Sequence, residues 1–372
     1  MSSSSPPPLS RSRRALFGLI FAALLLGLAE AALRLVLGPP PPPVKVYNAI
    51  GEHATWFEVE NGKVNPVYIN IDPPAPFPAA YNGKRCLALG GSTVHGGTPS
   101  LGQGGEFPSL IANMIGVPVL NLANPGLDSF DHVEIMNRVV QWPFSCLILL
   151  GGHNDFGNAY FQQRYGTLAS GLQARARAGL ENFQLFVQLN RVLSPLEGVA
   201  RTEQTRGGGA AALVDDQAWW AALRYLEANT RRMVWLANKH GIKTILVSPP
   251  SGLHVPPGDR DCSGPNCAWQ VYNEGLATIN SDPQRAAELL RRARDLDRLA
   301  LRAPSAAQDA MRQIAEEEGA IFVDAERLLP QEANVPIPNR DLFKDGVHFT
   351  AAGHAAVAQL LAPYVAEALN QP

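Results

Sequence analysis

The sequence predicts an α/β fold, a parallel β-sheet covered by helices on both faces. Two patterns carry that expectation. First, five short apolar runs recur along the chain: Arg85 to Leu89, Val117 to Leu122, Cys146 to Leu150, Lys243 to Val247 and Ala320 to Val323. Continuous apolar runs of this length suit parallel strands buried on both faces. Second, helical patterns separate them, clearest over Phe107 to Ile115, His132 to Val140, Gln217 to Lys239 and Ala307 to Glu317, with a last one over Thr350 to Leu369. Strand and helix alternating in this way is the signature of an open sheet with crossover helices. Ligands of such sheets bind beyond the carboxyl ends of the strands, so the segments that follow the apolar runs are where function is expected.

The elements before the sheet fix the compartment. Ser2 to Pro8 is a low-complexity Ser/Pro tract of disordered type. Arg11, Arg13 and Arg14 then precede a run from Ala15 to Leu37 that is apolar except for Glu30 and Arg34. Those two stand four apart with the acid first, so on a helix they face and partly neutralise each other. About 20 apolar residues cross a bilayer, and arginines ahead of the span favour a cytoplasmic N-terminus. The reading is a cytoplasmic tail over 1–14, a single-pass inner-membrane anchor over 15–37, a Pro-rich spacer and lead-in over 38–83, and a periplasmic or otherwise extracytoplasmic domain over 84–369. Pro39 to Pro43 fits an extended spacer. A cleaved signal peptide with Ala29-Glu30-Ala31 as its cleavage site and a buried amphipathic helix are the alternatives, and the signal peptide leads to the same compartment.

A chain of 372 residues, 46% hydrophobic, can bury a sizeable core, and a formal net charge of −2 argues against a nucleic-acid partner. Four cysteines are too few for a disulfide scaffold. Cys262 and Cys267 flank the turn-rich "SGPN" and suit a local disulfide in an oxidising compartment, whereas Cys86 and Cys146 fall in core strands and read as buried and reduced.

The segments after the strands carry polar residues. Gly91-Ser92 follows the first run and "NLANPGLDS", with Asn124 and Gly126, follows the second. "GGHND", with Asn154 and Asp155, follows the third, and "DGVH", with Asp345 and His348, precedes the last helix. Seen alone, Ser92 could be a tight turn or part of a phosphate loop. Gly97 stands where a P-loop needs lysine, and Leu89 stands where a dinucleotide fingerprint needs its first glycine, so both phosphate readings fail.

In their order and spacing these four blocks resemble those of the SGNH hydrolases, also called the GDSL esterase and lipase superfamily. The resemblance covers about Lys84 to Leu369, interrupted by insertions at about 156–216 and 251–303. It implies a three-layer flavodoxin-like fold with a five-stranded sheet in the order 2-1-3-4-5. It also implies a serine hydrolase acting on acyl esters. A serine hydroxyl is a poor nucleophile until a base takes its proton, so the resemblance assigns Ser92 as nucleophile, His348 as base and Asp345 as its orienting acid. The oxyanion donors it implies are the backbone N–H groups of Ser92 and Gly126 and the side-chain amide of Asn154. The substrate class expected from family and location is an O-acylated glycan or a smaller acyl ester. An O-acyltransferase, or a catalytically silent glycan-binding or assembly protein on the same fold, are the alternatives. No metal or organic cofactor is implied, and the sequence names no protein partner.

One departure stands out. The family's first block usually reads Gly-Asp-Ser, and here Gly91 replaces the aspartate. His95 and His153 sit in the blocks without an assigned step. Asp155 is expected to bond loop amides, and His354 to pack or be solvated on the last helix. The first insertion holds Tyr160, Phe161, Tyr165, Phe183 and Phe186 and a flexible "RGGGA" at Arg206 to Ala210, and reads as a cap or a helical decoration. The second reads as a helical hairpin, similar to one tetratricopeptide-type unit, with Asp282 as N-cap before Pro283. Beyond it, Arg302 is expected to be solvated, or else to reach an anionic substrate group.

Overall fold

The computed structural model describes residues 11–37, 57–66, 77–78, 80–96, 104–165, 180, 183–193, 214, 216–299 and 302–370. The Ser2 to Pro8 tract, the Pro39 to Pro43 spacer and the Arg206 to Ala210 stretch lie outside them. The described residues open with helix α1, Arg11–Leu37, whose apolar side chains from Phe17 to Leu28 are exposed. Among the described residues, its Phe17–Leu37 portion is long and apolar enough to cross a membrane, a test that a signal sequence also passes. A small antiparallel sheet follows, built from β1 (Phe57–Glu60), β2 (Lys63–Pro66) and β3 (Phe77–Pro78).

The main domain alternates strand and helix. Its elements are β4 (Cys86–Gly90), α2 (Ser92–His95), α3 (Phe107–Ile115), β5 (Val119–Asn121), α4 (Ser129–Val139), β6 (Cys146–Leu150) and α5 (His153–Tyr165). The first insertion contributes α6 (Gln184–Leu193), and the domain resumes with α7 (Asp216–Lys239) and β7 (Lys243–Val247). The second insertion carries the hairpin α8 (Ala268–Thr278) and α9 (Pro283–Leu296). The chain ends through α10 (Ser305–Glu318), β8 (Ile321–Val323), α11 (Ala325–Leu328) and α12 (Ala351–Asn370). The five main strands lie in the order β5-β4-β6-β7-β8, all parallel. Counted within the domain this is 2-1-3-4-5, the order the resemblance implies.

Burial explains the continuous apolar runs. Every residue of β4, β5 and β6 is buried. Alternate residues feed two cores: Leu87, Leu89, Leu147 and Leu149 pack under α4 and α7, while Ala88, Ile148, Ile245 and Val247 pack under α3 and α12. A third cluster joins Phe156 of α5 to Trp219, Leu223 and Leu226 of α7 and Ala307 of α10. A fourth lies within the hairpin, where Val271 and Tyr272 meet Leu289 and Leu290. Asp282 caps α9, its carboxylate accepting from Arg285 N–H at 3.0 Å, so the predicted N-cap is observed.

Two sequence expectations are corrected. Cys86 and Cys146 are fully buried but bonded to each other, because the register of β4 and β6 sets them directly side by side, Cα to Cα 4.6 Å. Cys262 and Cys267 are paired as expected. Arg302 is neither solvated nor turned toward a substrate. It is only 7% exposed, and its guanidinium donates to Val255 O at 2.9 Å and to the Asp297 carboxylate at 3.2 Å.

Candidate active site

The carboxyl ends of β4, β5 and β6 bring three of the polar segments together. Ser92 opens α2 immediately beyond β4, half-buried, while Thr93, Val94 and His95 behind it are buried. Gly126 follows β5 in a left-handed turn, φ 77°, a conformation that favours glycine. Asn154 lies in the first turn of α5, just after β6.

Polar contacts tie the β5 turn to α5. Asn154 Nδ2 donates to Leu127 O at 2.7 Å, and Asn158 Nδ2 donates to Gly126 O at 3.2 Å and to Asp128 Oδ2 at 2.7 Å. Asp155 accepts from the N–H of Ser129, the first residue of α4, at 3.2 Å, a helix-start amide where a loop amide was expected. The Gly91 departure has a steric counterpart here. A Cβ at position 91 would stand 2.3 Å from Asn154 Nδ2 and 3.3 Å from Leu127 O. The space that a side chain would occupy is filled by the Asn154 amide.

The fourth segment comes from the far end of the chain. Phe343 and Phe349 form an antiparallel bridge, and Lys344 N–H donates to His348 O at 2.8 Å, which closes the loop between them. Within that loop Asp345 Oδ1 accepts from the N–H groups of Val347 and His348, both at 2.8 Å. Its other oxygen, Oδ2, lies 2.7 Å from His348 Nδ1. Burial alone would raise the Asp345 pKa, but the imidazole hydrogen bond and the two backbone N–H groups outweigh it and hold the carboxyl well below its usual range.

An ionised carboxylate can only accept, so His348 Nδ1 carries the ring proton and Nε2 is left as an acceptor. Ser92 Oγ lies 2.8 Å from that Nε2 and donates to it. The chain Asp345–His348–Ser92 is therefore continuous, from residues 256 positions apart in sequence.

His95, His153 and His354 are buried, and burial favours their neutral form. His153 accepts Ala303 N–H on Nδ1 at 3.0 Å, and burial depresses its pKa to about 3. His354 accepts Phe107 N–H on Nδ1 at 3.3 Å and packs against Phe349, and burial lowers its pKa to about 4. His95 is lowered to about 4 by the same cause. Among the described residues no group of three or more His, Cys, Asp or Glu side chains converges to hold a metal ion.

Sequence reasoning missed the clamp on the histidine loop. Gly252, just after β7, donates its N–H to Gly346 O at 3.0 Å, and a Cβ at 252 would come within 2.8 Å of Asp345 O. The stem of Arg302 lies against Gly346 from another side. The signal was a pair of glycines, Gly252 in the second insertion and Gly346 in the "DGVH" block, and neither glycine announces its partner locally.

The profile of the GDSL-like lipase/acylhydrolase family matches residues 220–361, a span that holds Asp345 and His348. That span, a little over a third of the chain, is similar to the GDSL-like lipase/acylhydrolase family. The family span begins after Ser92, Gly126 and Asn154, so those three rest on the geometry above. Among solved structures, a GDSL-like lipase from Bacteroides thetaiotaomicron is 14% identical at a TM-score of 0.39, covering 77% of this chain and 89% of its own. A protein from Lactobacillus plantarum is 14% identical at 0.39, with 76% and 97% covered. TesA is 13% identical at 0.36, with 77% and 99% covered. No curated protein matches the chain significantly.

Proposed function

We propose that this chain is an SGNH-type serine ester hydrolase with Ser92 as nucleophile, His348 as general base and Asp345 as the acid that orients it. One observation carries the reading, the hydrogen-bond chain from Asp345 Oδ2 through the imidazole to Ser92 Oγ. Ser92 Oγ attacks the ester carbonyl carbon while His348 Nε2 takes its proton. The carbonyl oxygen becomes an oxyanion, received by the backbone N–H groups of Ser92 and Gly126 and by the second N–H of the Asn154 amide, whose first is spent on Leu127 O. The C–O bond to the leaving alcohol then breaks, and the imidazolium returns the proton to that alcohol. Water attacks the resulting Ser92 acyl-enzyme, again losing its proton to Nε2, and the acid departs with Ser92 Oγ re-protonated.

The substrate class we infer is an acyl ester on a glycan, met outside the cytoplasm by a domain over 84–369 that α1 holds on the membrane. Support for the compartment is the arginine cluster in the first turn of α1, ahead of its apolar run, and two cysteine pairs in disulfide geometry.

A fluorophosphonate probe tests the nucleophile. Wild-type protein is expected to be labelled, and Ser92→Ala to be silent. A folded wild type that takes no label would overturn the assignment. O-acylated sugars, supplied with and without an acceptor sugar, then test the substrate. Acid release alone supports the hydrolase, whereas acyl transfer to the acceptor would make the protein a transferase.

A further inference from the structure

We propose that helix α6, from the first insertion, lies in the membrane interface as a second lipid contact, docked against the anchor by Glu30. The inference rests on reading α1 as a membrane span and adds to it a surface outside that span.

Glu30 is the one acidic residue in α1, and its two oxygens are both spent on α6. Oε1 accepts Gln184 N–H at 2.9 Å and Oε2 accepts Leu185 N–H at 2.8 Å. The first amides of a helix lack intrahelical partners, so a carboxylate there is a cap and also complements the helix dipole. Arg34 pairs with the same carboxylate at 2.6 Å. An acid inside an apolar run is costly unless it is paired, and here a cation and two amides pair it.

The surface beside this joint is apolar and open. Leu180, Phe183 and Leu189 are 47%, 49% and 49% exposed. Along α6 Leu185, Phe186 and Leu189 form an apolar stripe beside Gln184 and Gln188, the spacing of a helix with one greasy side. A helix of that kind beside a bilayer lies in the interface plane.

The depths agree. Glu30 stands seven residues before Leu37, the end of α1, which at 1.5 Å per residue is about 10 Å along its axis. Interfacial helices bury their apolar side about 5–10 Å into the headgroup and acyl boundary. The α6 joint falls at that level when the last residues of α1 reach the headgroups. The occupant of the exposed Leu180, Phe183 and Leu189 side chains is then lipid, continuous with the lipid around α1.

Full-length protein in lipid nanodiscs tests this. A new cysteine is placed by Leu189→Cys, Leu25→Cys or Met114→Cys, and labelled with an environment-sensitive fluorophore while the native cysteines stay bonded. Leu25 lies within α1, and Met114 is an exposed site on α3. Nitroxide-bearing acyl chains are expected to quench the probes at 25 and 189, and an aqueous quencher the probe at 114. Lipid quenching at 25 with aqueous quenching at 189 would overturn the α6 proposal alone. Aqueous quenching at 25 would overturn the membrane reading and the proposal with it. Adding Glu30→Ala is expected to move the probe at 189, and not that at 25, toward aqueous quenching, and an unmoved 189 probe would refute docking through Glu30.

Discussion

Replacing Gly91 with alanine adds one methyl group where the Asn154 amide now sits. Residue 91 has φ −90°, so its backbone accepts any L-residue and the effect of the change is steric. The new Cβ would stand 2.3 Å from Asn154 Nδ2, whereas carbon contacts settle at about 3.5 Å. The amide must therefore retreat by about 1 Å, and a misplacement of that size at a reacting centre can cost about 100-fold. Full removal of an oxyanion donor costs about 100- to 1,000-fold in kcat. Gly91→Ala is thus expected to lower kcat on a chromogenic acetate ester by about 100-fold, with KM little changed. Restoring the family's usual aspartate at 91 is expected to be at least as damaging. A cycle with Asn154→Ala isolates the cause. If the methyl acts through the amide, the double variant is no slower than Asn154→Ala alone. A Gly91→Ala enzyme within about threefold of wild type, or additive losses in the cycle, would refute the argument.

Three further outcomes follow from the geometry. In Asp345→Asn the side-chain oxygen stays on the Val347 and His348 amides and the NH₂ faces the imidazole, which forces the wrong tautomer on His348, so kcat should fall by about 10⁴-fold with the fold intact by circular dichroism. His153, at about 3, and His354, at about 4, lie below the ordinary histidine value of 6.5 and accept backbone N–H groups that protonation would displace, so the unfolded chain binds more protons below pH 6.5. Their contribution is whole above pH 6.5 and is lost as pH falls toward 4, up to about 3 kcal/mol for each ring, and thermal melts should show the decline flattened in His354→Gln. Protein unfolded without reductant should show no alkylatable thiol, and loss of the Cys86–Cys146 bond, which closes a 60-residue separation, should cost about 4 kcal/mol in urea melts.

The sheet was legible because each buried strand is a local signal. "CLILL" and "KTILV" are strands within the bounds the apolar runs suggest. Ser92, Gly126, Asn154, Asp345 and His348 could be named because each follows or precedes a recognisable element, and the order of the blocks supplied what no single block could. What escaped depends on contacts between distant segments. The Cys86–Cys146 bond needs the register of β4 against β6, which neither strand encodes alone. Arg302 reads as a solvated cation until Asp297 and Val255 are seen beside it. The strands of the small antiparallel sheet, FEVE, KVNP and FP, are four residues long or shorter, too short for their alternation to stand out as strand.

The Gly252–Gly346 hydrogen bond ties the second insertion directly to the loop that carries His348. Force applied to the insertion is transmitted to the ring without passing through the sheet. A chimera that imports a foreign hairpin at 251–303 would therefore need to bring a residue without a side chain at 252, or the transplanted loop would pry the His348 ring off Ser92.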